Sequence, residues 1–284
     1  MRRALVITFA LLAAALTALF AAGEFLSRPS AARVGPPPAD LGALELSLPT
    51  DAGGSVSGWY APGKPGAGAI LLLHGVRSDR RQMAGRARFL HRAGYAVLLI
   101  DLPAHGQSSG SRIGFGLREA SGVRAALRFL ADRHPAQRTA VLGVSLGAAA
   151  FALSHATPAP SAVVLESMYP TIEDAVANRL SLRFGRAGAW ATPLLLWQLP
   201  VWAGISARDL RPIAALQGLR APLLVVSGTQ DRHTLWAETE RLFAAANPPK
   251  ELWAVDGAAH VDLHAFDPAQ YEARMLDFFA RHLR

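Results

Sequence analysis

The sequence predicts an α/β fold: a mostly parallel central sheet of about eight strands with helices on both faces. Three observations carry this expectation. Short apolar runs alternate strictly with longer amphipathic stretches, as a parallel sheet with crossover helices requires. Most of those runs are apolar nearly throughout, which marks strands buried on both faces rather than strands with one wet side. With 51% of 284 residues apolar, the chain can also build one large core, and no internal repeat divides it.

The elements follow in order. "LELSL" (44–48) and "SVSGWY" (55–60) are expected to open the sheet as an antiparallel pair across the turn-forming "PTDAGG". The buried strands are then "AILLL" (69–73), "AVLLI" (96–100), "TAVLG" (139–143), "AVVLE" (162–166), "LLVVS" (223–227) and "ELWAV" (251–255). Helical periodicity fills the gaps at 78–93, 116–134, 146–156, 235–246 and 268–283.

Before the sheet lies a different kind of segment. Residues 4–22, "ALVITFALLAAALTALFAA", are uncharged, follow Arg2 and Arg3, and are long enough to cross a bilayer as a helix. Residues 1–26 are therefore read as an N-terminal transmembrane anchor. The alternative is a signal segment cleaved near Ala21-Ala22-Gly23, which would leave a secreted or periplasmic protein. The positive-inside rule places the domain outside the cytoplasm. The Pro-rich run "SRPSAARVGPPPAD" (27–40) reads as an extended tether, and 41–284 as the folded domain, with a cap insertion at 167–220.

Composition excludes several functions. The net charge of +8 is almost all arginine, with lysine only at Lys64 and Lys250, and no basic stripe interleaved with aromatics marks a nucleic-acid surface. The absence of cysteine removes disulfides, thiol nucleophiles and thiolate metal sites. No His/Asp/Glu set has the tight spacing of a metal site, so neither metal nor cofactor is expected. Composition does not fix the oligomeric state.

Two stretches match Gly-x-Ser-x-Gly: "GVSLG" (143–147) and "GQSSG" (106–110). A nucleophile elbow needs a strand running through a tight turn into a helix, so that the serine stands exposed above the sheet end. Only Ser145 has both flanks, "TAVLG" before it and the strong helix former "LGAAAFALSHA" after it. Ser108 leads into a glycine-rich loop and is assigned to bracing. A serine needs a base oriented by an acid, in the chain order Ser, Asp or Glu, His for this arrangement. Asp231 in "SGTQDRHT" and His260 in "DGAAHVDLH" each follow a buried strand, at the same sheet edge as Ser145. His264 is the rival base and Glu166 the alternative acid; His233 lies near Asp231 only in sequence.

In family order, "LLLHGVRS", "LLIDLPAHGQSSG", "VLGVSLGAAA", "SGTQDRHT" and "DGAAHVDLH" resemble the α/β-hydrolase-fold serine hydrolases. The likeness is closest to small membrane-anchored hydrolases of the α/β-hydrolase-domain-13-like and prolyl-oligopeptidase-related branch, and covers about 44–283. It implies a small helical cap, and an oxyanion hole formed by the backbone N–H groups of Val76 and Leu146. His74 and His105 read as structural. Ala104, in "PAHG", stands where relatives often carry glycine.

The cap stretch "AWATPLLLWQLPVWAG" (189–204) sets Trp190, Trp197 and Trp202 among leucines and prolines. They are expected either to line an acyl pocket or simply to pack the cap. The expected function is a serine hydrolase cleaving a carboxylic ester or thioester with an apolar acyl part, from a small-molecule or lipid-derived substrate. It is held to the membrane by its N-terminal segment. Without residues 1–26 it is expected to keep its activity on soluble short-chain esters. An amidase or peptidase using the same triad, and a non-catalytic binding protein of this fold, stay open.

Overall fold

A computed structural model of the chain describes residues 2–283, apart from the side chains of residues 4, 12, 15 and 202. In chain order the elements are α1 (Arg2–Ser27), β1 (Ser30–Ala31), β2 (Leu44–Pro49), β3 (Ser55–Ala61), β4 (Ala69–Leu73), α2 (Ala84–Arg92), β5 (Ala96–Ile100), β6 (His105–Gly106) and α3 (Ala120–Arg133). There follow β7 (Thr139–Val144), α4 (Leu146–Ser154), β8 (Ala162–Glu166), α5 (Ile172–Phe184), α6 (Thr192–Trp197), α7 (Leu199–Ala203) and α8 (Pro212–Ala215). The chain ends with β9 (Leu223–Gly228), α9 (Trp236–Ala245), β10 (Lys250–Val255), α10 (Leu263–Phe266) and α11 (Pro268–Leu283).

Eight strands form the main sheet in the order β10-β9-β8-β7-β4-β5-β3-β2. β2 and β3 are antiparallel, β3 runs antiparallel to β5, and every other pairing is parallel. The alternation of side chains divides the core in two. Leu71 and Leu73 of β4 pack into the cluster with α3 and α4, while Ile70 and Leu72 face α2 and α11 on the other side. Both faces are dry, which is why the central strands carry no polar alternation.

Three local differences from the sequence reading have physical causes. The stretch expected as one helix at 78–93 begins as a 3-10 turn, Arg80–Met83, capped by the Asp79 carboxylate accepting from Arg81 N–H at 3.0 Å. A carboxylate cap fixes a helix start that apolar periodicity does not show. The helix expected from residue 116 starts at Ala120, because Glu119 turns its buried carboxylate back onto the N–H groups of Gly114 and Gly116.

The Pro-rich segment does not run free. Ser30–Ala31 pairs in parallel with His105–Gly106, Ser30 N–H donates to Ala104 O at 2.8 Å, and Val34 and Leu41 are buried. Leu5–Ser27 of α1 has mean hydropathy 2.5 and spans about 35 Å at the helical rise; among the described residues of its most apolar window none is buried, whereas Ser27 at its end is. By length and composition it is able to cross a bilayer. Residues 167–222, between β8 and β9, fold into the helices α5 to α8.

Candidate active site

β7 delivers Ser145 to the carboxyl edge of the sheet, and α4 starts one residue later. Ser145 takes φ 50°, a left-handed conformation that L-residues adopt at a cost of about 1–2 kcal/mol. The turn closes because its flanking residues lack side chains. A Cβ on Gly147 would lie 2.6 Å from Leu73 O, and one on Gly143 2.7 Å from Ala148 N. Ser145 N–H donates to Glu166 O at 2.8 Å, tying the turn to the end of β8.

The loop after β4 lies beside this turn: a Cβ placed on Gly75 would stand 3.8 Å from Ser145 Cβ. His74 braces it from within. Leu102 N–H donates to His74 Nε2 at 3.0 Å, which leaves Nδ1 carrying the proton toward Gly75 O at 2.7 Å. Complete burial, reinforced by His105, pushes the His74 imidazole down to about 3, so it stays neutral. Gln82 Oε1 accepts from Gly75 N–H at 2.7 Å. Val76, next in the chain, is 38% exposed at the cavity, and Leu146 opens α4, where a helix start leaves its N–H without an intrahelical partner.

Asp231 follows β9 and His260 follows β10 at the same edge. His260 Nδ1 lies 2.7 Å from Asp231 Oδ2; the carboxylate accepts, so Nδ1 carries the proton and Nε2 is left as a base. Asp231 Oδ1 accepts from the N–H groups of His233 and Thr234 at 2.8 and 2.9 Å. Burial alone would raise the Asp231 carboxyl, but His260 and these two N–H donors outweigh it and hold the group below its ordinary value. The pair has the geometry of a catalytic dyad. Among the described residues no hydrogen bond links Ser145 Oγ to His260, a contact that often tightens only around substrate.

The alternatives are occupied elsewhere. Ser108 Oγ donates to Asp101 O at 2.6 Å and accepts from Ser57 N–H at 2.9 Å, bracing its loop. His105 Nδ1 meets Pro103 O at 2.9 Å in the same loop, where Ala104 takes φ 63°, a conformation glycine adopts without strain. His264 Nε2 meets Glu272 Oε1 at 2.9 Å, with its ring against Phe89 and Tyr271. The buried Glu166 carboxylate accepts from Arg86 and from Tyr271 Oη, both at 2.6 Å.

A cavity of about 230 Å³ opens at Ser145. Leu146, Phe115, Ile172, Val176, Leu196 and Leu199 give it an apolar lining, and Gly23, Leu26 and Ser27 of α1 complete one wall. Its charged lining residues are Arg77 and Arg179; none of its described lining residues is acidic. Trp190 and Trp197 are not in this lining. They stand 85% and 64% exposed on the outside of the cap, and the Trp202 side chain lies outside the described residues. From this part of the cap Leu195, Leu196 and Leu199 line the cavity in place of Trp190 and Trp197, because α6 and α7 turn these leucines inward.

One expectation is corrected here, and two residues had no signal in the sequence. His233, expected near Asp231 only in sequence, stacks its ring on His260 at 4.9 Å and donates its N–H to Asp231 Oδ1. Arg179 places a cation in an apolar cavity, and Arg77 links the β4 loop to α1. No local pattern marks either arginine.

A strained serine on a strand-to-helix turn, with a His–Asp pair downstream at the same edge of this sheet, defines the class: an α/β-hydrolase-fold serine hydrolase. The model of the family described as serine aminopeptidase, S33, matches residues 64–205, half of the chain, and the chain belongs to that family. It is 33% identical over 232 residues to the uncharacterized protein Rv2307c of Mycobacterium tuberculosis, covering 78% of this chain and 74% of that one. Over 239 residues it is 21% identical to YqkD of Bacillus subtilis, covering 81% and 77%. Among solved structures, the esterase Pf2001 of Pyrococcus furiosus has the same fold, with a TM-score of 0.74 and 24% identity over 91% of this chain and 99% of that chain.

Proposed function

We propose that the protein is a membrane-held serine hydrolase that cleaves carboxylic esters or thioesters with an apolar acyl part. Ser145 attacks the acyl carbonyl as His260 Nε2 takes its proton, and Asp231 orients the imidazole and stabilises its charged form without itself being protonated. The N–H groups of Val76 and Leu146 receive the developing oxyanion, at about 3 kcal/mol of transition-state stabilisation per donor. The leaving alcohol or thiol takes the proton from His260. Water, deprotonated by the same base, then releases the acid and restores Ser145.

The cavity lining is the single observation that carries the choice of substrate. Its volume is below the roughly 300–1,000 Å³ of drug-sized sites and suits one acyl chain. An aminopeptidase must hold a free ammonium group beside the scissile bond. Two arginines and no described carboxylate in the lining oppose that charge, whatever the family's description suggests.

The continuity of one helix and one contact support an uncleaved anchor. Helix α1 continues unbroken past Ala22, and Gln198 Nε2 holds Leu19 O at 3.0 Å on the far side of the expected cleavage point. The exposed Trp190, Leu194, Trp197 and Val201 extend the apolar surface of α1 onto the cap, an arrangement that suits the interface of a bilayer. This supports the resemblance to the membrane-anchored branch. Turnover of p-nitrophenyl esters against aminoacyl p-nitroanilides tests the substrate reading: ester turnover is expected to dominate, and preferential anilide cleavage would replace it with a peptidase.

A further inference from the structure

We propose that the last turns of the N-terminal helix are part of the acyl-binding site, so that the membrane anchor completes the active site. The inference rests on the serine-hydrolase reading above and concerns what builds the pocket of that site.

Three residues of α1, Gly23, Leu26 and Ser27, line the cavity that holds Ser145. They are not loosely placed there. Gln198, buried in the cap, donates to Leu19 O, and a side chain on Gly23 would collide with the Gln198 carboxamide. The Phe20 ring meets Trp197 edge-on at 6.4 Å. On the other side Arg112 bonds Glu24 at 2.8 Å and Ser27 Oγ at 3.0 Å, while Ile113 N–H donates to Ser27 O at 2.8 Å. Cap and core thus grip the end of the helix from two directions.

A further contact reaches the reacting centre. Arg77, the residue after Val76, donates through Nη2 to Phe25 O at 2.5 Å and Leu26 O at 3.3 Å, and its guanidinium lies 5.0 Å from the centre of the Phe25 ring. Helix carbonyls at a C-terminus have no intrahelical donor and attract a cation. Arg77 takes φ 56°, so the loop that presents Val76 N–H is bent and is fixed on one side by the end of α1. On the other side it is fixed by Gln82 and His74.

The wall formed by Leu26 joins the cavity to a helix that is apolar through most of its length, with Glu24 in its last turns paired to Arg112. An acyl chain leaving the bilayer along α1 would meet a mostly apolar lining, with Ser27, Gln198, Arg77 and Arg179 among its polar members, before it reaches Ser145. The substrate class that uses this route is a long-chain acyl ester or thioester partitioned into the membrane. The expectation that residues 1–26 are dispensable for soluble short-chain esters is accordingly revised, because removing them takes away part of the pocket and the acceptors of Arg77.

The test uses the full-length protein in phosphatidylcholine vesicles with p-nitrophenyl acetate and p-nitrophenyl laurate. Leu26→Trp narrows the pocket from the anchor side and should lower the laurate-to-acetate ratio of kcat/KM by about tenfold or more. Replacing residues 2–18 by an unrelated apolar helix of equal length should leave both kcat/KM values intact, since the described cavity lining of α1 begins at Gly23. Arg77→Ala should lower kcat on acetate by about tenfold through misplacement of the oxyanion loop, with KM little changed. Thermal melts exclude misfolding in each case. An unchanged chain-length profile in Leu26→Trp, or loss of the profile in the 2–18 replacement, would overturn the proposal. Fluorophosphonate labelling that persists in Ser145→Ala would instead overturn the serine-hydrolase reading beneath it.

Discussion

Arg86 meets Glu166 at 2.6 Å with both side chains almost wholly buried, and the same guanidinium reaches Asp262 at 2.8 Å, two residues past His260. Glu166 in turn offers its backbone carbonyl to Ser145 N–H. One cation therefore ties the strand behind the serine to the loop that carries the histidine. Breaking a buried pair leaves an uncompensated charge, so Arg86→Met should cost roughly 3–5 kcal/mol of stability. Urea unfolding measures it, and a change under 1 kcal/mol would show that the pair is not holding the fold.

The two acids separate by this geometry. Asp231→Asn should lower kcat by about 10³–10⁴-fold, because the imidazole loses its orienting acceptor. Glu166→Gln should destabilise the fold yet leave the kcat of titrated active sites within a few-fold. His260→Ala should be nearly as damaging as loss of the serine, and His264→Ala should spare turnover. Steady-state kinetics with burst titration decide all four; a greater loss in Glu166→Gln or His264→Ala would move the acid or the base.

Acid should unfold the protein through His74 and His105. Both are driven below their ordinary value by burial, His74 to about 3, with the nearby Asp79 opposing the shift at His74. The unfolded chain binds these protons near 6.5 and the folded one refuses them. The contribution of His74 is therefore whole above pH 6.5 and shrinks as pH falls toward 3, by up to about 1.4 kcal/mol per pH unit, and that of His105 is lost in the same direction. Unfolding free energies between pH 8 and 4 should fall accordingly, and His74→Gln should flatten the slope while lowering stability at pH 8. An equal slope in the variant would remove His74 from the explanation.

The cap has two faces with different roles. Leu199→Trp, inside the cavity, should shift preference toward shorter acyl groups by about tenfold. Trp197→Ala, outside it, should leave the chain-length profile on soluble esters unchanged and weaken binding to vesicles. Equal effects of both on the profile would return Trp197 to the pocket.

Much of this was legible because burial on both faces writes a strand as a continuous apolar run. β4, β5 and β8 coincide with "AILLL", "AVLLI" and "AVVLE". Ser145, Asp231 and His260 are legible as candidates because each follows such a run, and Ser108 reads as a loop residue because no helix follows it. The pocket was not legible. Leu19 and Gln198 stand 179 residues apart, and an apolar helix made for a bilayer has no pattern that marks its last turn as a cavity wall. The outward placement of Trp190 and Trp197 was not legible for a related reason: aromatic residues among leucines signal apolar surroundings, and a membrane surface supplies those as well as a pocket does. Arg86 is one of three arginines in the nine residues of α2, so nothing in the sequence sets it apart as the partner of Glu166.

The most direct measurement is covalent labelling by a fluorophosphonate in the full-length protein, comparing Ser145→Ala with Ser108→Ala. The reading predicts complete loss of labelling in Ser145→Ala, together with a fall in esterase turnover of several orders of magnitude, and retention of both in Ser108→Ala. Labelling that survives in Ser145→Ala, or vanishes only in Ser108→Ala, would contradict it.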